Sequence, residues 1–149
     1  DLVRSRGLGD VYKRQSWLHA PWGKNFVLTI ANLAKTRPTL RVVNDQHGRP
    51  TSVHTLAETT LDLVHAGADG VFHVTDGSAC TWFDFATAIA AIANPSCVVE
   101  PCSTSEFPRP AARPTYSVLG LERTEALLGR AMTRWSDAMR SALAAAGTI

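Results

Sequence analysis

Three segments carry side chains that could bind a charged, partly apolar ligand. Ser16 and Trp17 begin the short apolar-leaning stretch 16–20, a predicted strand end, and DQHGRPT at 45–51 offers a carboxylate, an amide and a rigid turn. The third segment, FPRPAARPTYS at 107–117, places Arg113 among prolines. A planar guanidinium on a stiff loop suits a diphosphate, because it can bond two oxygens at once. A purely structural crossover is the alternative interpretation of this loop.

The sequence lacks two motifs that hydride transfer from a nicotinamide cofactor would use. Gly7 and Gly9 begin a G-x-G-x-x-G pattern, but Tyr12 stands where the third glycine should be. In a Tyr-x-x-x-Lys pair the lysine lowers the tyrosine pKa, so that the phenol can act as a general acid. Neither Tyr12 nor Tyr116 has a lysine four residues later. We therefore predict no catalytic residue in this chain.

The candidates for metal binding are weak. His54 and Glu58 would share a helix face, but no third ligand follows at a suitable spacing, so a solvated polar face is favoured. His73 lies in an apolar stretch and is predicted to pack in the core. The cysteines form no C-x-x-C pair and are interpreted as free thiols, buried or partly exposed: Cys80, Cys97 and Cys102. We predict no metal site.

Apolar periodicity predicts helices that alternate with short strands. The helices are expected between Gly23 and Pro38, after Ser52, after Thr81, around Leu121–Leu128 and from Trp135 to Ala145. The strands are expected at Leu40–Asn44, Val71–Val74 and Val98–Val99. This alternation indicates the α/β class. So few strands predict an incomplete sheet.

Composition excludes several classes of function. A chain of 149 residues that is 45% hydrophobic and 19% charged fits one globular domain. The net charge of +2 is too small to imply a nucleic acid or a membrane as partner. No apolar run approaches the ~20 residues that span a bilayer. Free thiols, and the lack of an apolar leader at Asp1–Gln15, lead us to expect a cytoplasmic protein.

Four stretches together resemble the dTDP-4-dehydrorhamnose reductases. They are SWLHAPWGKNFV at 16–27, LRVVNDQHGRPT at 40–51, GVFHVTDGSACTWFDFA at 70–86 and TSEFPRPAARPTYSVL at 104–119. The resemblance implies the C-terminal part of a Rossmann-like, extended short-chain dehydrogenase fold, with an incomplete sheet and a small substrate-binding subdomain. Such enzymes reduce the 4-keto group of dTDP-4-dehydro-L-rhamnose with NADPH or NADH, giving dTDP-L-rhamnose.

The resemblance also implies roles for individual residues. Trp17 would lie against the sugar near the nicotinamide, and Arg113 would bind the diphosphate. His19 departs from the family, which usually has an aromatic residue such as tyrosine there. The implied substrate contacts are Trp17, Asn25, Phe26, Gln46, Pro50, Thr51 and Arg113. The implied cofactor contacts are Ser16 and Trp17.

The resemblance starts at Ser16 and sets the expected domain organisation. Residues 1–15 lack an apolar period and a family match, so we predict that they are unstructured or foreign to the protein. Residues 16–149 are predicted to be the C-terminal, mainly substrate-binding part of a longer reductase, inactive alone. For the longer enzyme a homodimer and a magnesium ion are open expectations. The alternative is a non-catalytic subunit of the same fold, like the regulatory subunit of methionine adenosyltransferase.

Overall fold

The structure, a computed structural model, describes residues 16–107 and 113–148. Its strands are β1 (Leu18–His19), β2 (Thr39–Val43), β3 (His47–Gly48), β4 (Thr51–Ser52), β5 (Cys80–Thr81) and β6 (Val98–Cys102). Its α-helices are α1 (Phe26–Thr36), α2 (Val53–His65), α3 (Trp82–Ala93), α4 (Glu122–Leu128) and α5 (Trp135–Ala145). A short 3-10 helix follows β6 at Thr104–Glu106.

Helices α1 and α3 begin at side chains that satisfy free backbone N–H groups. The Asn25 side-chain oxygen accepts a hydrogen bond from the backbone N–H of Leu28, at 3.1 Å. Thr81 and Asp84 form a reciprocal capping box at the start of α3. The predicted positions of both helices are confirmed. Asp84 stands where a capping box usually has glutamate, and both hydrogen bonds of the box are present.

The hydrophobic core lies between α1, α3, α5 and the parallel pair formed by β2 and β6. Leu40 is in register with Val99 in this pair, and α3 packs against both strands. Phe85 and Ile89 on α3 are almost fully buried. Burial of side chains of this size contributes roughly 1.5–3 kcal/mol each to folding. The apolar face of α3 therefore holds β2 and β6 in place, and these strands position the loops that follow them.

The remaining strands form two very short pairs. β1 and β4 run parallel, and β3 and β5 run antiparallel, each with two residues per strand. Within the described residues no continuous sheet joins these pairs to β2 and β6. The predicted α/β class with an incomplete sheet is confirmed.

Two predictions about the segment at 70–76 are wrong. Val71–Val74 forms no strand, because side chains of α4 bind its backbone carbonyls. Arg123 donates to the carbonyl of Val71 at 2.9 Å, and the Thr124 hydroxyl donates to that of His73 at 2.6 Å. His73 itself is exposed rather than packed in the core, with its Nδ1 3.1 Å from the carbonyl oxygen of Gly120.

Candidate functional site

A pocket of about 210 Å³ opens where four parts of the chain meet. These are the residues before β1, the segment leading into β3, the start of α3 and the segment at 113–117. The lining residues are Ser16, Trp17, Gln46, Trp82, Arg113, Pro114 and Ser117. The pocket therefore combines two indoles, one amide, two hydroxyls, one proline and one guanidinium.

One wall of the pocket consists of stacked indoles. The ring centroids of Trp17 and Trp82 are 3.5 Å apart, with 12° between the ring planes. Phe26 lies behind Trp82, with a centroid distance of 4.5 Å. Gly48 lies against Trp17 so closely that a Cβ there would be 2.6 Å from Cε2 of the indole. Only glycine fits at position 48 without moving the tryptophan.

Gln46 is fixed by hydrogen bonds around the start of the 3-10 helix. Its side-chain nitrogen donates to the hydroxyl of Thr104 at 2.9 Å, and that hydroxyl donates to Asp45 at 2.6 Å. The backbone N–H of Thr104 also donates to Asp45, at 2.8 Å. Hydrogen bonds from the Thr104 hydroxyl and backbone hold the pKa of Asp45 below its usual value. These hydrogen bonds thus hold the Gln46 side chain in place at the pocket.

Arg113 reaches the pocket because the residues after it are bound to β3. The backbone N–H of His47 donates to the carbonyl of Thr115, and the backbone N–H of Ser117 donates to the carbonyl of His47, both at 2.8 Å. Arg113 is exposed, with its side chain on the pocket wall. An exposed guanidinium beside a pocket is available to an anionic ligand.

Four of the predicted site residues thus come together on the pocket wall: Ser16, Trp17, Gln46 and Arg113. The other four do not line it: Asn25, Phe26, Pro50 and Thr51. Asn25 caps α1, Phe26 supports Trp82, and Pro50 accepts a hydrogen bond from Asp76 N–H through its carbonyl. Thr51 is buried in β4, where its N–H donates to the carbonyl of Trp17 at 3.1 Å. Their roles toward a ligand stay predictions.

Sequence reasoning assigned no ligand role to three of the lining residues: Trp82, Pro114 and Ser117. Trp82 begins a predicted helix, where a tryptophan usually anchors the helix to its neighbours, and its contact with Phe26 fits that role. The available signal was its position directly after the Thr81 cap, since a side chain at a helix start projects toward the preceding loop. By contrast Trp22, which also lies near the start of a predicted helix, is 60% exposed.

A buried polar pair lies beside β1 and β4. Nε2 of His19 is 3.3 Å from Oδ2 of Asp76, and the exposed fractions of these side chains are 1% and 0%. The same oxygen accepts the backbone N–H of Ser52 at 3.1 Å. The buried imidazole of His19 therefore has an acidic partner beside it.

None of the three cysteines lines the pocket. Those at positions 80, 97 and 102 are free and buried, which confirms their interpretation as free thiols. Burial, with a smaller effect from Asp84, raises the pKa of Cys80 to about 12. A thiol with this pKa stays protonated and unreactive near neutral pH. Across the described ranges, no three His, Cys, Asp or Glu side chains are grouped to hold a metal ion.

In the described part of the chain, no helix is both long enough and apolar enough to cross a bilayer.

Residues 1–147 match the family model described as the RmlD substrate binding domain. This match includes residues 1–15, which lie outside the described structure, and their separation as a foreign segment stays a prediction. Among curated relatives, the spore coat polysaccharide biosynthesis protein SpsK of Bacillus subtilis is 35% identical over 143 residues, which make up 96% of this chain and 50% of that protein. The dTDP-4-dehydrorhamnose reductase of Salmonella typhimurium is 33% identical over 82% of this chain and 44% of its own length.

Solved structures give the same result. The dTDP-4-dehydrorhamnose reductase of Clostridium acetobutylicum matches with a TM-score of 0.79 and 41% identity, over 87% of this chain and 46% of that one. The reductase of Bacillus anthracis in complex with NADP matches with a TM-score of 0.78 and 37% identity, over 86% and 46%. The chain thus spans about half the length of its relatives. On sequence and fold together, it belongs to the RmlD substrate binding domain family.

Proposed function

We propose that this chain is the substrate-binding part of a dTDP-4-dehydrorhamnose reductase. The longer enzyme would reduce the 4-keto group of dTDP-4-dehydro-L-rhamnose to give dTDP-L-rhamnose. The observation that carries the proposal is the convergence of Trp17, Gln46 and Arg113 on one pocket. The names of the relatives, and the share of their length that the chain spans, support it.

The chemistry of the pocket suits one portion of a nucleotide sugar. Its volume of about 210 Å³ is below the roughly 300–1,000 Å³ typical of complete ligand sites. Arg113 can bond two diphosphate oxygens with its planar guanidinium, and Pro114 restricts the backbone beside it. The edge of the Trp17 indole offers an apolar contact to a sugar ring. The rest of the ligand would contact parts of the enzyme beyond this pocket.

The nicotinamide cofactor, NADPH or NADH, would approach from the side of Ser16 and Trp17. When bound, it would supply the hydride. Ser16 offers a hydroxyl and Trp17 an apolar edge, so both residues can border a nicotinamide ring. The general acid must come from elsewhere, because neither tyrosine of this chain has a lysine four residues later.

Calorimetry with dTDP-L-rhamnose tests the proposal on the purified chain. We expect binding, and we expect Arg113→Ala to weaken it about tenfold or more, since a charge-assisted contact is worth roughly 1.5–3 kcal/mol. Arg113→Lys should recover part of the loss, because a point charge cannot replace the planar fork. Arg140→Ala is the matched control: this arginine is exposed on α5 and does not line the pocket.

Two results would contradict the proposal. The first is a wild-type chain that does not bind dTDP-L-rhamnose. The second is an Arg113→Ala variant that is folded and binds the ligand as tightly as Arg140→Ala does. A separate assay with dTDP-4-dehydrorhamnose and NADPH should detect no turnover by the chain alone. In the complete enzyme, Arg113→Ala should raise the substrate KM and leave cofactor affinity unchanged.

A further inference from the structure

Asp45 and Thr104 follow the carboxyl ends of two neighbouring strands. β2 ends at Val43, and β6, its parallel neighbour, ends at Cys102. In open α/β sheets, ligands bind outside this edge. Gln46 comes directly after Asp45, is only 7% exposed and lines the pocket. The Gln46 amide is therefore held at the ligand edge of the sheet and is almost enclosed by protein.

Thr104 determines which end of the Gln46 amide faces it. A hydroxyl has one proton, and Thr104 donates its proton to Oδ1 of Asp45 at 2.6 Å. The Asp45 carboxylate only accepts, because hydrogen bonds from the hydroxyl and the backbone of Thr104 lower its pKa and keep it ionised near neutral pH. The Thr104 oxygen can then only accept from Gln46, which lies 2.9 Å away. The nitrogen of the amide must therefore face Thr104.

The carbonyl oxygen of the Gln46 amide is left for the pocket. Oε1 and Nε2 lie on opposite sides of one planar group, so Oε1 points away from Thr104. Within residues 16–107 and 113–148, no group donates a hydrogen bond to Oε1. An enclosed amide oxygen is normally bonded to a donor. Ionised phosphate oxygens cannot act as donors, whereas a sugar hydroxyl can.

We infer that Asp45 and Thr104 are positioning residues, which fix Gln46 as a hydrogen-bond acceptor for a hydroxyl group on the 6-deoxyhexose of the nucleotide sugar. This inference rests on the proposed function. Gly48, two residues after Gln46, contacts the indole of Trp17, whose edge is the proposed contact for the sugar ring. The amide oxygen would bond the polar side of the same ring. It would also repel the diphosphate, and so separate the sugar from the anion within the pocket.

Calorimetry on the purified chain with dTDP-L-rhamnose and with dTDP gives the hexose contribution as the ratio of the two affinities. Gln46→Met removes the acceptor and keeps the length of the side chain. Gln46→Glu places two carboxylates beside the single hydroxyl proton of Thr104. Asp45→Asn/Gln46→Glu, the exchange variant, reverses the hydrogen bonds: the new amide donates to Thr104, which donates to the glutamate, whose second oxygen faces the pocket. Asp62→Asn is the matched control, because this exposed carboxylate pairs with Arg130 and does not line the pocket.

We expect Gln46→Met to lower the affinity for dTDP-L-rhamnose about two- to tenfold, the range for one uncharged hydrogen bond, and the affinity for dTDP less than about twofold. Gln46→Glu should also lower the hexose contribution, because the two carboxylates repel each other. The exchange variant should recover most of this contribution, and addition of Thr104→Val should reduce the recovery. Asp62→Asn should match the wild type. Comparison of Gln46→Glu with the exchange variant keeps the test valid if Gln46→Met does not fold.

Four outcomes would overturn the inference. A folded Gln46→Met variant that binds dTDP-L-rhamnose like the wild type would show that no hydroxyl donates to this oxygen. An equal loss of dTDP affinity in Gln46→Met would place the amide at the nucleotide. A strong loss of dTDP affinity in the exchange variant would show that position 46 faces the diphosphate. An exchange variant no better than Gln46→Glu would show that Asp45 does not set the orientation.

These four outcomes leave the proposed function in place. A wild-type chain that binds neither ligand would refute the proposed function itself, and this inference with it.

Discussion

Removal of the Asp76 carboxylate should destabilise the chain far more than removal of an exposed carboxylate. Oδ2 of Asp76 accepts two hydrogen bonds, from Nε2 of His19 and from the backbone N–H of Ser52. A carboxylate oxygen only accepts, so Nε2 carries the proton in this contact. Asp76→Ala would leave both donors buried without an acceptor. The exposed counterpart is Asp62, which pairs with Arg130 at 2.7 Å.

The burial of the two pairs sets the expected magnitudes. A buried donor left unsatisfied costs about 1–3 kcal/mol, so two of them cost about 2–6 kcal/mol. The side chains of Asp62 and Arg130 are 47% and 42% exposed, and such a pair contributes about 0–1 kcal/mol. For a chain of this length, each kcal/mol lowers the Tm by about 2–4 °C. We therefore expect Asp76→Ala to lower the Tm by roughly 5–20 °C and Asp62→Ala by less than about 4 °C.

Urea unfolding, followed by circular dichroism, measures these differences for single variants and for the His19→Ala/Asp76→Ala double variant. Because each single change leaves a partner buried without its hydrogen bond, the double variant should lose about 1–3 kcal/mol less than the two single losses combined. Additivity within about 0.5 kcal/mol would show that the pair is not coupled. An Asp76→Ala variant as stable as Asp62→Ala would refute the reasoning from burial altogether.

Three further predictions follow from the hydrogen bonds, the buried thiol and the open strand edges. The pKa of Asp45 is lowered in the folded chain, so its contribution to stability is present above the usual pKa and is lost as the pH falls through the lowered pKa. Thr104→Val should raise the pKa of Asp45 in an NMR titration, and an unchanged pKa would contradict the assignment. Cys80 should react with iodoacetamide much more slowly in the native chain than in urea, and equal rates would show that the thiol is accessible. The described strands form separate two-stranded pairs with open edges, so the purified chain should self-associate in light scattering as its concentration rises. A stable monomer at high concentration would oppose this.

Features that depend on neighbouring residues could be predicted from the sequence. The capping box at Thr81 and Asp84 is visible as a spacing of three residues, and Pro38 marks the end of α1. The strand expected at Val71–Val74 failed for a reason that lies far along the chain. Its carbonyls are bound by Arg123 and Thr124, and no local pattern at 71–74 records those partners.

Some features of the candidate site could likewise be predicted from the sequence, and others could not. Arg113 and Gln46 were found through local chemistry and the family resemblance, and both lie on the pocket wall. The stack of Trp17 on Trp82 joins residues that are far apart in sequence, so it required the folded chain. Asn25 caps α1 and donates a hydrogen bond to the carbonyl of Ala20, so its local structural role is clear, while its contact with the substrate stays a prediction.

The segment between Thr104 and Ser117 is held by hydrogen bonds near both ends, which we call its anchors, and this affects how freely its sequence can vary. Thr104 is bound to Asp45 and Gln46, and Thr115 and Ser117 are bound to His47, so both ends of the segment meet on three consecutive residues. Closing a longer loop between fixed ends costs only about 0.6 kcal/mol for each doubling of its length. The sequence between the anchors can therefore change in length and charge while Gln46 stays in place. New ligand preferences can arise there by insertion, without a change in the rest of the domain.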